Sequence, residues 1–390
     1  MTTKCYDVVI IGGGPVGMAL VIALQKYGLS TLLLEARGLP EKDEDPRPLA
    51  LSLGSRLILE RLNVWNKLSE PTPISTIHIS NQGSLGRTLI TTEDAGVPDL
   101  GYVVNYHNLF KAMYTKVQEA DADYSAGAKV TNFETCADHG QVDFEYENED
   151  KQVTAKLLVL ADGGRLTAQI KDIDYVVHEY EQWAIVANIT TEIPQSGIAY
   201  ERFTPDGPVA MLPSGDHFAL VWTVSPDMAQ TIIAMDESVF LAKLHDHFGD
   251  RLGRFIKSGK RTGFPLSLKY ATPNTSQRIA LVGNAAQTLH PVAGQGFNLG
   301  LRDAWELANV VLASSDMAAE IGTPTMLSRF REKRQIDRNA GRIFTDSLVK
   351  LFSNDNVLLK NASGIGLCAL DNIPPLKRFV ARRMIFGARG

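Results

Sequence analysis

An α/β fold built on a βαβ dinucleotide-binding unit, with a second β-sheet and a helical C-terminal region, is what this sequence predicts. Three observations carry that prediction. The chain opens on an apolar run that enters a glycine cluster and then a helical stretch. Two later apolar runs, near residues 160 and 280, also end in glycine-bearing turns. Between them lie short alternating segments that suit a sheet of their own.

The opening stretch organises the rest. Asp7 to Ile11 is short, apolar and β-branched, which suits a buried parallel strand. Gly12, Gly14 and Gly17 follow at G-x-G-x-x-G spacing. The first glycine makes a tight turn, the second lets backbone approach a pyrophosphate, and the third lets the helix pack on the strand. The helix presents free N–H groups and its dipole to phosphate. Gly28 is a natural stop, and Thr31 to Leu34 forms the second strand. Glu35 ends it, 18 positions after Gly17, where a carboxylate accepts hydrogen bonds from ribose hydroxyls. Val8 to Leu24 is uncharged over 17 residues, at the lower limit for a membrane span, but three consecutive glycines and Pro15 interrupt it.

Composition narrows the class. At 390 residues the chain has room for two or three domains, and 44% hydrophobic with 21% charged residues is ordinary for a globular protein. A net charge of −5, with no basic stripe interleaved with aromatics, argues against nucleic-acid binding. Cys5, Cys136 and Cys368 lie far apart, which points to reduced, buried thiols in a cytoplasmic protein. No metal site is expected: His245 and His247 are two apart and face different ways on a helix.

Further elements follow in order. Ala36 to Pro48 reads as an irregular loop ending at Arg47, which either reaches a bound cofactor or is a solvated charge. Ser52 or Ser55 caps a helix to about Leu62, and Ile74 to Ser80 with Arg87 to Thr91 reads as a hairpin. A helix over Tyr106 to Gln118 precedes a meander from Lys129 to Val159, which runs into Ala161-Asp162-Gly163-Gly164-Arg165. That Asp-Gly is either a simple turn or a carboxylate at the ligand end of a parallel sheet. Trp183 to Thr191, Ala199 to Phe203, Val209 to Leu212 and His217 to Val224 read as strands, and Asp236 to Phe248 as a helix. Arg278 to Val282 is a buried strand entering G-N-A-A-Q-T-L-H-P-V-A-G-Q-G-F-N-L-G-L-R-D-A, Gly283 to Ala304. Thr325 to Phe352 and Asp355 to Leu370 read as helices, and Pro374 to Ala388 as a short basic tail. The expected domains are 1–73, 92–172 and 275–322 for cofactor binding, 74–91 and 173–274 for substrate, and 323–390 as C-terminal helices.

Taken together, G-G-G-P-V-G, A-D-G and the Gly283–Ala304 motif resemble the FAD-dependent aromatic hydroxylases of the para-hydroxybenzoate hydroxylase type. Within them the chain resembles the ubiquinone-biosynthesis hydroxylases, in the branch acting on a 2-octaprenyl-6-methoxyphenol. Tyr200 to Pro213 and Thr345 to Phe352 share in that likeness, which spans nearly the whole chain. The resemblance implies a Rossmann-like FAD domain, a β-sheet substrate domain and C-terminal helices. It also implies a non-covalently bound FAD that is reduced by NAD(P)H and uses O₂ to hydroxylate a prenylated phenol.

Residue roles come with the resemblance. Gly12, Gly14 and Gly17, with Pro15, Val16, Glu35 and Ala36, hold the ADP half, and Arg47 lies beside the flavin. Asp162 and Gly163 match a motif associated with both FAD and NAD(P)H. Asn284, after Gly283, stands where most relatives have Asp, at the ribityl chain. The stretch from His290 to Gly300, including Pro291, Gly294, Gly296, Phe297, Asn298 and Leu299, wraps the isoalloxazine ring. Gly164, Arg165 and Leu166 depart from the small spacer and Ser usual in the family. No catalytic base stands out; His290 is either a ring contact or a packed histidine. Three alternatives stay open: a sister hydroxylase acting at another ring position, another FAD oxidoreductase of this fold, and a flavin-binding scaffold. Lys377, Arg378, Arg382, Arg383 and Arg389, among Phe379, Met384, Ile385 and Phe386, suggest peripheral association with the inner face of a membrane. Other ubiquinone-biosynthesis proteins are further candidate partners, and the oligomeric state is not readable.

Overall fold

A computed structural model of the chain describes residues 4–25, 27–38, 47–83, 86–120, 122–290, 294–315, 320–352 and 357–387. Two large sheets and one small sheet organise it. In the first, Lys4–Ile11 pairs in parallel with Thr31–Glu35 on one side and with Glu149–Leu160 on the other. Asp123–Ala126 and Ile279–Leu281 extend the parallel array at its two ends. Helices Pro15–Gln25, Tyr106–Glu119 and Gln295–Ser315 cover one face, where Met18, Leu20, Leu33, Met113, Leu157 and Leu307 share a core. Strands Lys129–Thr135 and Gly140–Tyr146 supply the other face, burying Phe133, Val142 and Phe144 against Val9 and Leu160.

The second sheet has nine strands. Its centre runs Asp174–Thr191, His217–Val224, Val209–Ser214, Ile198–Phe203, then the hairpin Thr76–Asn81 and Arg87–Thr91. Strand alternation gives it two different faces. Ile185, Met211, Leu220 and Trp222 pack under helices Pro226–Ala234 and Glu237–Phe248. The opposite face looks back toward the first sheet.

Several elements differ from the reading of the sequence. Ile74 to Ser80 is not one strand: Thr72–Ile74 pairs with Gly101–Asn105, and Thr76–Asn81 joins the large sheet. The chain passes from one sheet to another at Ser75. Pro48–Ser52 completes that small sheet within what reads as loop and cap, and Thr262–Thr272 and Pro226–Ala234 have no counterpart in the sequence reading. The basic tail is a helix, Pro374–Phe386, whose Ala381 and Ile385 are buried in a cluster with Leu53, Leu100 and Tyr102. The three cysteines are unpaired and exposed, not buried. Cys5 is the second residue of strand Lys4–Ile11, Cys136 follows a strand in a turn, and Cys368 is an exposed helix residue.

A buried charge network joins the Gly283 turn to the C-terminal helices. Asp303 Oδ2 accepts from Gly283 N at 3.2 Å, and its Oδ1 accepts from Arg334 Nε at 2.7 Å. Arg334 also donates to Asp337 at 2.6 Å, which in turn accepts from Arg302 at 2.8 Å. Arg334→Met leaves two buried carboxylates short of a partner, so it is expected to cost about 3–5 kcal/mol in chemical unfolding. A loss below about 1 kcal/mol in the same unfolding measurement would show the network to be dispensable.

Candidate cofactor and substrate site

One cavity of about 950 Å³ lies between the two large sheets, near the upper end of the roughly 300–1,000 Å³ usual for small-molecule sites. Its first end is the glycine turn. Gly12 has φ +117°, and a Cβ there would strike the Ala161 backbone. A Cβ on Gly17 would lie 2.1 Å from Gly12 O, so helix and turn touch through backbone alone. Gly14 is different: a Cβ there meets no protein atom and projects into open space. That opening lies at the start of helix Pro15–Gln25, where N–H groups and dipole favour phosphate.

Glu35 is buried and already engaged. Its Oε2 accepts from Gly13 N at 2.7 Å, and its Oε1 accepts from Arg37 N and Arg37 Nε, both at 3.0 Å. It therefore fixes the glycine turn from behind as well as lining the cavity beside Ala36. Asp162 plays a matching part on the neighbouring strand. Its carboxylate accepts from Gly164 N at 3.0 Å and Leu166 N at 2.8 Å, which closes the turn and presents Gly163 and Arg165 to the cavity.

The middle of the cavity is where helix Gln295–Ser315 begins. Gly283 and Gly300 approach within van der Waals contact of Val16, so this helix and the first one converge there. Asn284, Gly294, Gly296 and Phe297 line the space, and a Cβ on Gly296 would meet nothing. Arg47 enters from the small sheet, its guanidinium 5.1 Å from the Tyr106 ring and 5.5 Å from that of Phe264.

Fourteen of the expected cofactor residues thus line one cavity: Gly12, Gly14, Pro15, Val16, Glu35, Ala36, Arg47, Asp162, Gly163, Gly283, Asn284, Gly294, Gly296 and Phe297. Gly17, Asn298, Leu299 and His290 support it without facing it. Asn298 accepts from Ser52 N and Ser55 Oγ and donates to Ala50 O and Gly294 O, pinning the small sheet to the helix start. Leu299 packs with Leu268 and Leu289. His290 lies behind the wall, 3.2 Å from Gln182 Oε1 and edge-on to Tyr180; burial lowers its pKa to about 4, so it stays neutral at pH 7. Pro291 lies outside the described residues.

The far end of the cavity is apolar. Ile77, Ile79, Ala199, Phe203, Ala210 and Leu212 form its floor, while Leu367, Leu370, Val380 and Met384 of the two last helices form its roof. Of the Val209–Leu212 run, Ala210 and Leu212 face the cavity, and Val209 and Met211 face the helices behind. Glu201 stands in this floor, and sequence reading passes over it. So it does over Asp303 and Arg334, which hold the Gly283 turn.

These features fit a flavin dinucleotide: an open glycine cradle at one helix start and a second helix start in mid-cavity, both lining one continuous cavity. Gly14→Val puts a branched side chain into the cradle without a clash in the protein. It is expected to unfold like the parent protein yet purify without yellow colour. Normal flavin absorbance in that variant would remove the cradle from cofactor binding.

Comparison with known proteins agrees. Residues 5–335 match the family model described as "FAD binding domain". A ubiquinone hydroxylase of Rhodospirillum rubrum, UbiL, is 34% identical, with 97% of this chain and 89% of that protein aligned. The 3-demethoxyubiquinol 3-hydroxylase of Escherichia coli is 29% identical, covering 97% of this chain and 98% of that one. Among solved structures, the p-nitrophenol 4-monooxygenase PnpA of Pseudomonas putida shares the fold, with a TM-score of 0.80 at 16% identity over 99% of this chain and all of that one. An FAD-dependent aromatic-ring monooxygenase is thus the enzyme class, and the chain belongs to the family of FAD-dependent ubiquinone-biosynthesis hydroxylases.

Proposed function

We propose that this enzyme hydroxylates the aromatic ring of a polyprenylated methoxyphenol of the 2-octaprenyl-6-methoxyphenol type during ubiquinone synthesis. The observation that carries this reading is the continuity of the cavity. Its polar end suits FAD, and its apolar end suits a prenylated phenol. FAD, when bound, supplies the redox chemistry, taking electrons from NAD(P)H and passing one oxygen of O₂ to the ring.

The protein's own part is placement and exclusion of water. Gly12, Gly14 and the start of helix Pro15–Gln25 hold the pyrophosphate, with Glu35 and Ala36 beside the adenosine ribose. Asn284 donates and accepts toward the ribityl chain without adding charge. The start of helix Gln295–Ser315 favours the negative charge that reduction puts on the flavin ring. The roof helices shield the ring from solvent. On this reading the first sheet with its helices is the cofactor domain, the nine-stranded sheet the substrate domain, and the last helices the cover. The substrate assignment is checked by quinone analysis of a strain lacking the gene. Accumulated 2-polyprenyl-6-methoxyphenol is expected. An earlier prenylphenol or the later demethoxy intermediate would move the enzyme to a sister step, and normal ubiquinone would remove it from the pathway.

Helix Pro374–Phe386 supports peripheral membrane association. No helix among the described residues is long and apolar enough to span a membrane. The helix instead displays Leu376 and Phe379, 41% and 55% exposed, beside exposed Arg378 and Arg382, with Ile373 just before it at 47%. That pairs apolar anchors with charges suited to anionic lipid. Truncating the helix would strip Val380 and Met384 from the cavity, so a point change is the better test. Phe379→Glu is expected to lower co-sedimentation with anionic vesicles several-fold at unchanged flavin content. Equal sedimentation of both proteins would rule out this face.

A further inference from the structure

One residue of the cavity wall contradicts its surroundings. Glu201 lies on strand Ile198–Phe203, paired with Ile79 on one side and Ala210 on the other. Both neighbours line the cavity, as do Ala199 and Phe203 two positions away on the same face. A single carboxylate therefore stands in an apolar floor beneath an apolar roof. Its side chain has no hydrogen-bond or ion-pair partner among the described residues, and burial alone pushes its carboxyl up to about 7.

The charges on surrounding elements are turned away or engaged. Arg202 lies on the opposite face of the sheet, where its Nε donates to His247 O at 3.0 Å. His78 and Tyr200 are on that face too, ring against ring. From the roof, Lys377 is held by Asp94 and Asp371 at 3.4 and 3.2 Å, and Arg382 and Arg383 lie over the rings of Phe386 and Phe379. The remaining charged lining groups, among them Arg47, Asp162 and Arg165, belong to the cofactor end. A lone carboxyl here contributes nothing to folding and costs stability once ionised. Such a group in a ligand cavity is the pattern of an acid–base residue.

We propose that Glu201 is the general base of the hydroxylation, accepting the phenolic proton of the substrate as its ring is oxygenated. This rests on the proposed function for the identity of the reaction, though not for the presence of a phenol site. In the step, the phenol O–H bond breaks and a Glu201 O–H bond forms. The electron pair stays on the phenolic oxygen and raises electron density at the ortho and para carbons, one of which attacks the transferred oxygen. When that carbon loses its own proton to solvent and the ring regains aromaticity, Glu201 returns its proton to the phenolic oxygen. No electrons are exchanged with the protein. Because the free base must be ionised, oxygen transfer should rise with pH through about 7.

The test uses the full, FAD-loaded chain, with Glu201→Gln and Glu201→Asp. In the first arm no NAD(P)H is present and the probe is 4-nitrophenol bearing one C5 prenyl chain beside its hydroxyl. Its phenolate is coloured, and at pH 8 most of it is ionised. Two anions cannot share the apolar floor, so the parent protein is expected to take up about one proton per complex while the probe stays coloured. Only a second group holding the proton gives that pair of results, and Glu201→Gln should lose it. No proton uptake, or bleaching of the probe in the parent protein, would overturn the proposal. In the second arm, a short-chain prenylated methoxyphenol and NAD(P)H are added. Glu201→Gln should bind the phenol and consume NAD(P)H, but form product at least about 10²-fold more slowly and release peroxide instead. Glu201→Asp should recover part of the product, and a ring-fluorinated, more acidic phenol should recover part in Glu201→Gln. Unchanged product yield in Glu201→Gln would refute the base. A parent protein that hydroxylates no prenylphenol would refute the proposed function instead, and the proton measurement would then decide Glu201 by itself.

Discussion

Asp303 is fully buried, and it divides its two carboxylate oxygens between the Gly283 N–H and the Arg334 guanidinium. Everything in mid-cavity depends on that division. Gly283 opens the turn that follows strand Ile279–Leu281 and carries Asn284, Asp303 lies on helix Gln295–Ser315, and Arg334 lies on the long helix after it. Burial by itself would raise the Asp337 carboxyl, but Arg302 and Arg334 reverse this and hold it below its ordinary range. Asp303 and Asp337 in turn keep Arg334 protonated despite its burial. Gly387, at the end of the last helix, closes directly on Asp337 and Arg302. One set of buried charges therefore ties the cofactor turn to the helices that roof the substrate end.

The two ends of the cavity follow from opposite uses of backbone and side chain. At the cofactor end the chain removes side chains: Gly12 and Gly17 let turn, helix and neighbouring strand meet through backbone atoms, and Gly14 leaves open space. Free N–H groups then face the cavity and suit an anion. At the substrate end the chain supplies side chains, alternating along each strand so that one face feeds a packed core and the other the cavity. Arg47 lies over the rings of Tyr106, at a helix start beside the first sheet, and of Phe264, on the nine-stranded sheet.

Much of this was legible in the sequence because it is local. The glycine spacing, the strand before it and Glu35 after it fall within about 30 residues, and each has a short-range physical cause. The Gly283–Ala304 motif placed the second helix start in the same way. What escaped depends on distant partners. Glu201 stands between Tyr200 and Arg202 in a short strand with no motif to mark it; helices from residues 357–386 cover its face. Pro48–Ser52 looks like loop and cap until it pairs with Gly101–Asn105. His290 and Asn298 sit inside a motif expected to wrap the flavin, yet behind the wall the His290 ring meets the Gln182 side chain and Asn298 holds backbone. The C-terminal basic stretch hides a cavity-lining face because its apolar residues are spaced for a helix that has only one side free.

That a single cavity brings flavin and prenylated ring together is tested most directly by weighing the product. The FAD-loaded chain would be supplied with NAD(P)H, isotopically heavy O₂ and a short-chain prenylated methoxyphenol. The expected result is a product carrying one heavy oxygen on its ring, formed in step with NAD(P)H consumption. NAD(P)H consumption that ends wholly in peroxide, with the phenol unchanged in mass, would contradict it.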